Sequence, residues 1–208
     1  MSLKARNDIH LARRVWHFSG VMVIFVLYAL IPSDRARITA LVLSVPFIVL
    51  DVLRLYVPRI NRALTWLFRP FMRENERQRL AGLSFLLAGV SLSIWLYPRP
   101  VVFLSLLFLA VADPLASYFG IRFGRDKLVG DKSLQGSMAA FAACFLLSLL
   151  YFSVMDLMRE RMFIVCLISG LIGACAELIP VGKLDDNFLF PVVSGVLLTG
   201  VFYLFGGL

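Results

Sequence analysis

The chain has 208 residues, of which 60% are hydrophobic and only 16% charged, and its mean hydropathy is +0.86. A water-soluble domain of this length cannot bury that much apolar surface, so the composition excludes a soluble enzyme and leaves no room for a soluble domain beside the membrane part. The net charge of +8 falls between apolar runs, where basic residues face anionic lipid headgroups and set orientation. Nucleic acid is not an expected partner.

A bilayer span needs about 20 mostly apolar residues. In chain order the apolar runs predict helices over 15–31, 37–57, 81–97, 100–119, 135–154, 162–179 and 187–206. The expected fold is therefore all-α, a polytopic membrane protein of about seven transmembrane helices in a single integral membrane domain over 1–208. The first run follows a basic segment, but Pro32-Ser33-Asp34-Arg35 offers no small-residue cleavage site, so it reads as a helix and not a signal peptide. Pro46 and Pro114 are expected to kink or break their helices. Between the second and third helices, Pro58, Asn61 and the run Ala63-Leu64-Thr65-Trp66-Leu67-Phe68 interleave apolar with basic positions, which predicts an interfacial amphipathic helix. Cys144, Cys166 and Cys175 sit inside apolar runs, with no spacing for a disulfide or a metal.

With these helices, sixteen of the 21 Lys and Arg residues fall on one side of the membrane and five on the other. The rich side holds Lys4, Arg6, Arg13 and Arg14, the 54–79 segment, the 122–132 loop and Lys183. By the positive-inside rule the N-terminus is cytoplasmic and the C-terminus outside.

Ionisable residues within apolar runs are expensive, so they mark function or a specific pair. His17, Asp51, Asp113 and Glu177 all come out at one depth, just below the cytoplasmic surface. Asp51 and Arg54 are three apart on a helix and fit a structural pair. His17 fits either helix packing or a site, and Glu177 either a site or a pair with Lys183. Asp113 stands before Pro114, and packing alone does not explain a carboxylate there. Asp186-Asn187 opens the last helix, as a cap or as part of a site. The stretch from Gly120 to Ser137 is glycine-rich and basic, and Lys132-Ser133 precedes a helix N-terminus that attracts anions, although it is not a Walker A loop. Carboxylates beside Lys, Arg, Gly and Ser are what a metal–polyphosphate complex requires.

Several blocks resemble one family in the family's order. They are Arg13-Arg14-Val-Trp-His17-Phe-Ser-Gly20, Asp51-Val-Leu-Arg54 with Pro58 and Asn61, Arg73-Glu-Asn-Glu76 with Gly82, Ala112-Asp113-Pro114 through Gly120 and Gly124 to Lys132-Ser133-Leu-Gln-Gly136-Ser137, and Glu177-Leu-Ile-Pro180 with Asp185-Asp186-Asn187 and Pro191. The chain is similar to the CTP-dependent lipid-alcohol kinases, which include dolichol kinase, phytol kinase and yeast-type diacylglycerol kinase.

The resemblance implies transfer of the terminal phosphate of CTP to a lipid hydroxyl, with Mg²⁺ or another divalent cation. It assigns Asp113 and Asp186, with Glu177, to the metal–triphosphate complex. Arg125, Lys127 and Lys132 go to the phosphates, and Ser133, Gly136, Ser137 and Asn187 to the nucleotide site. His17 and Glu76 are both candidates for orienting or deprotonating the acceptor hydroxyl. Overall likeness leans towards an isoprenoid alcohol over diacylglycerol. The implied location is the cytoplasmic membrane of a prokaryote, with the site facing the cytoplasm and anionic lipid headgroups as partners. A phosphatidate cytidylyltransferase also carries an Asp, Gly-rich, Lys-Ser segment, but its C-terminal HGG…DR.D signature is replaced here by Glu177 to Asn187. A transporter would place its charges at the midplane and show repeat symmetry, which this sequence lacks.

Overall fold

The computed structural model describes residues 11–179 and 184–208, with Asn75 described by its backbone only. Eight α-helices follow one another in it: α1 Leu11–Leu30, α2 Ser33–Tyr56, α3 Pro58–Leu67, α4 Gly82–Leu96, α5 Arg99–Phe123, α6 Leu134–Val154, α7 Met162–Leu178 and α8 Asp186–Phe205. Six of them, all but α3 and α4, are long and apolar enough to cross a membrane; for α7 this span starts at Arg159. The chain is thus an all-α polytopic membrane protein. α4 is apolar but has only 15 residues, about 22 Å at 1.5 Å per residue, against a hydrocarbon core about 30 Å thick. Six helices of full spanning length and one shorter apolar helix therefore stand, among the described residues, where the sequence predicts about seven transmembrane helices. The short helix is bounded by the turn before Gly82 and by Pro98, which ends it.

α5 is the axis of the bundle. Val101, Val102, Leu104, Leu106, Phe108 and Leu109 are fully buried on it, and α1, α6 and α8 pack around it. Where helices come closest, a glycine makes the room. A Cβ at Gly89 of α4 would stand 2.8 Å from the backbone of Phe188, so any larger residue would push α4 off α8 and open the core between them. Across that interface Tyr97 donates its hydroxyl to Val192 O at 2.8 Å, and Ser105 of α5 donates to Pro191 O at 3.0 Å. Both give a side-chain hydroxyl between the helices a partner on α8, where an unpaired polar group would be costly.

α3 is the amphipathic helix the sequence predicts. It begins with Pro58 at its first position, none of its residues is buried, and Trp66 is 75% exposed. It is tied down by a buried polar knot. Arg54, 2% exposed, donates to Asp51, to Asn61, and to the backbone carbonyls of Glu76 and Arg79. Asp51 also accepts from Ala81 N–H at 2.8 Å and from the Ser84 hydroxyl. The Asp51–Arg54 pair is thus structural, and it joins α2, α3, the 3₁₀ turn Glu74–Arg77 and α4.

Two expectations fail locally. α5 runs unbroken through Pro114 to Phe123, four residues beyond the predicted end. Proline removes one N–H, but helix on both sides and neighbouring helices around it make continuation cheaper than a break. The 120–137 segment is not simply a loop. After α5 it forms a two-stranded hairpin, β1 Lys127–Val129 and β2 Lys132–Ser133, turning at Gly130, whose φ of +55° favours glycine. Lys4, Arg6, Pro180 and Lys183 lie outside the described residues.

Candidate active site

The start of α1, the C-terminal ends of α5 and α7, the start of α8 and the hairpin enclose one cavity of about 440 Å³. Its basic side is built by α1, which places Arg13, Arg14 and His17 on one face because they are spaced three and four residues apart. Arg13 is fixed by Glu76 Oε1 at 2.7 Å and by Phe71 O at 2.9 Å. Nη1 of Arg14 is buried with no hydrogen-bond partner among the described residues, and its guanidinium lies over the Tyr118 ring, 5.1 Å from the centroid. A buried donor left open at the wall of a polar cavity is poised for an anionic ligand.

The opposite wall is the hairpin with the start of α6. Gln135 locks it: its Oε1 accepts from Arg125 N–H at 3.1 Å, and its Nε2 donates to Asp126 Oδ2 at 2.7 Å. Ser133 caps α6 by accepting from Gly136 N–H. Gly136 itself lets α6 approach α5, since a Cβ there would meet Ala116 O at 2.9 Å. Lys132 projects from this hairpin to Glu177 Oε1 at 2.8 Å and Asp186 Oδ2 at 2.9 Å. Burial disfavours the ammonium, but the carboxylates of Asp186 and Glu177 outweigh it and raise the Lys132 pKa. One lysine thereby clamps the ends of α7 and α8 to the hairpin.

At the floor, His17 Nε2 is 3.0 Å from Leu109 O and 3.7 Å from Asp113 Oδ2. A carbonyl only accepts, so that bond requires the proton on Nε2, and in the neutral ring it leaves the Nδ1 lone pair free. Asp185 caps α8 through Asn187 N–H, and the Asn187 amide donates to Gly82 O, closing the cavity on the α4 side.

Of the residues singled out from the sequence, the cavity is lined by His17, Asp113, Lys127, Lys132, Ser133, Gly136, Glu177, Asp186 and Asn187. Three stand off it. Arg125 is exposed and held by its backbone. Ser137 lies behind Ser133, donating to Ser133 O at 3.2 Å and to Glu177 Oε2 at 3.4 Å. Glu76 is buried against Arg13. Among the described residues no three His, Cys, Asp or Glu side chains form a ready metal cluster, and the Lys132 ammonium lies between the carboxylates of Glu177 and Asp186. Arg13, Arg14, Arg73 and Asp131 line the cavity without having been assigned to it. The first two carried a legible signal, their helical spacing from His17.

No family model matches the chain, and no solved structure matches it. It is similar to the protein named CTP-dependent diacylglycerol kinase 1 of Schizosaccharomyces pombe, with 35% identity over 158 residues, 71% of this chain and 72% of that one. It is also similar to the protein of the same name from Saccharomyces cerevisiae, 24% identical over 91% of this chain and 72% of the relative. Dolichol kinase of Saccharomyces cerevisiae is 27% identical over 88% of this chain, which spans only 36% of that protein. With its charged cavity at one end of an apolar bundle and these relatives, the chain is a lipid kinase and belongs to the CTP-dependent lipid kinase family.

Proposed function

We propose that the protein moves the terminal phosphate of CTP to the hydroxyl of a membrane lipid alcohol at the cytoplasmic face. The observation that carries this reading is the cavity itself, which sets the basic groups Arg13, Arg14, Lys127 and Lys132 against the carboxylates of Asp113 and Asp186 at the end of a membrane bundle. Phosphoryl transfer needs little covalent help from a protein; it needs alignment and charge neutralisation.

In this reading the basic residues and the α6 N-terminus take the triphosphate, the unsatisfied Nη1 of Arg14 being the most direct donor. The acceptor oxygen attacks the γ-phosphorus, the bond from that phosphorus to the bridging oxygen breaks, and CDP leaves. Nδ1 of His17 receives the hydroxyl proton, while Leu109 O and Asp113 hold the ring from its other nitrogen. Glu76 serves by fixing Arg13. A divalent cation, when bound, neutralises phosphate charge. Asp113 and Asp186 are hard oxygen donors that fit it, since Mg²⁺ is commonly held by one or two carboxylates together with substrate phosphates, and Glu177 holds Lys132 beside them.

The likeness favours diacylglycerol as acceptor over the isoprenoid alcohol expected from the sequence, because the chain spans 72% of each of the two diacylglycerol kinases, at 35% and 24% identity, but only 36% of the dolichol kinase, at 27%. The sixteen-to-five distribution of basic residues supports the cytoplasmic face. The kinase-named relatives above are eukaryotic and lend no support to a prokaryotic inner membrane; an integral membrane location stands. Vesicles holding both diacylglycerol and a polyprenol, given CTP or ATP, test the reading. Phosphatidate formed mainly with CTP is expected, and equal turnover with ATP would contradict the donor assignment.

A further inference from the structure

A second cavity, of about 430 Å³, opens beside α3 and shares no residue with the first. Its wall carries the guanidinium groups of Arg62, Arg69 and Arg77, with Trp66 and Thr65 between them. All three arginines are exposed, and among the described residues none of them is ion-paired, although Glu74 also lines the space. Three guanidinium groups against one carboxylate leave a net positive potential at the pocket that an anion relieves. Of the three, Arg62 lies on α3, which follows the span α2 after the single residue Val57 and has no buried residue. That places Trp66 and Leu67, 75% and 59% exposed, where an amphipathic helix rests at the lipid–water boundary.

We propose that this pocket is a second lipid site, which seats the phosphate headgroup of an anionic membrane phospholipid between Arg62, Arg69 and Arg77 while Trp66 and Leu67 lie against its acyl region. Guanidinium groups suit phosphate because they donate in pairs. The site is not isolated from the catalytic end. Asn61, at its rim, donates to Arg77 O and accepts from Arg54, and the 3₁₀ turn ending at Arg77 carries Glu76, which fixes Arg13. A seated headgroup therefore braces the turn that holds an arginine of the first cavity.

The test uses the full chain in nanodiscs of phosphatidylcholine containing a small fraction of phosphatidate, with bound phosphatidate counted by native mass spectrometry after release. The intact protein should retain phosphatidate over phosphatidylcholine. Each of Arg62→Gln, Arg69→Gln and Arg77→Gln should lower that retention about five-fold, roughly the worth of one basic residue at an anionic surface. Lysine at the same positions should keep most of it. Inorganic phosphate at millimolar concentration should not compete, since it lacks the chains that Trp66 and Leu67 engage. Unchanged retention in all three glutamine variants overturns the proposal, as does displacement by inorganic phosphate, which would make the pocket a soluble-anion site. The positions are exposed, so single variants fold; thermal unfolding in detergent checks this.

Discussion

The ammonium of Lys132 lies 2.8 Å from Oε1 of Glu177, 45 residues away in sequence, and this contact ties the 127–133 hairpin to the end of α7. Because Asp186 shares the same ammonium, removing the charge leaves two carboxylates facing each other across the cavity. Lys132→Met should therefore weaken CTP binding by at least ten-fold, the loss of a charge-assisted contact of about 1.5–3 kcal/mol. It should also lower thermal stability. Isothermal titration with CTP, next to a melting curve in detergent, separates the two effects.

The clamp also predicts a pH response. The Lys132 pKa is raised, so the stability it contributes is fully present below the unfolded lysine value of about 10.4 and is lost only as pH rises beyond it through the folded value. Between pH 6 and 9 the melting temperature of Lys132→Met should run parallel to that of the parent protein. A gap between the two that closes within this window would show that the lysine loses its proton there.

His17 and Glu76 were equal candidates for handling the acceptor proton until their positions were known. His17 lines the cavity and touches Asp113 by geometry, whereas Glu76 is held by Arg13 outside it. His17→Gln should reduce turnover by about 10²–10⁴-fold, the range of a general base, with the KM for CTP little changed. Glu76→Gln should mainly raise the KM for CTP, through a loosened Arg13, and leave kcat near that of the parent. Steady-state kcat and KM for CTP, measured for both variants, distinguish these outcomes.

The Asp51–Arg54 knot yields a stability prediction. Arg54→Met strands a buried aspartate and two backbone carbonyls, so it should cost about 3–5 kcal/mol, as breaking other buried pairs does. The variant should melt well below the parent in detergent. A melting curve unchanged by the substitution would mean that water reaches this knot freely.

What the sequence made legible follows from the physics of each signal. Charged residues are so costly inside apolar helices that His17, Asp113 and Glu177 stood out individually, and the structure brings all three to one cavity. Arg13 and Arg14 were read as orientation charges, because at a helix start near the membrane surface the same residue type serves both purposes. The hairpin at 127–133 was missed because its strands, Lys127–Val129 and Lys132–Ser133, are too short for any alternating pattern. It is stabilised instead by one turn glycine and by Gln135. Continuity of α5 through Pro114 is a tertiary effect that local propensity cannot register.

Asp113→Asn tests the site from within. The amide keeps the shape next to His17 and is cheaper to bury than a carboxylate, so the variant should remain monodisperse in detergent and melt no lower than the parent. Lipid phosphorylation should fall by two or more orders of magnitude, since even groups supporting a metal from outside its ligand shell contribute about 10–100-fold. Near-normal turnover at saturating CTP and Mg²⁺ would return Asp113 to a structural role.

The central claim, transfer of the terminal phosphate of CTP to a lipid hydroxyl, is tested most directly by tracing the atoms. The purified protein is given diacylglycerol in vesicles together with CTP labelled in one sample at the α-phosphorus and in another at the γ-phosphorus, and the lipid fraction is counted. The account predicts label in the lipid from γ-labelled CTP and none from α-labelled CTP. Label entering the lipid from the α-position would instead mean cytidylyl transfer and would contradict it.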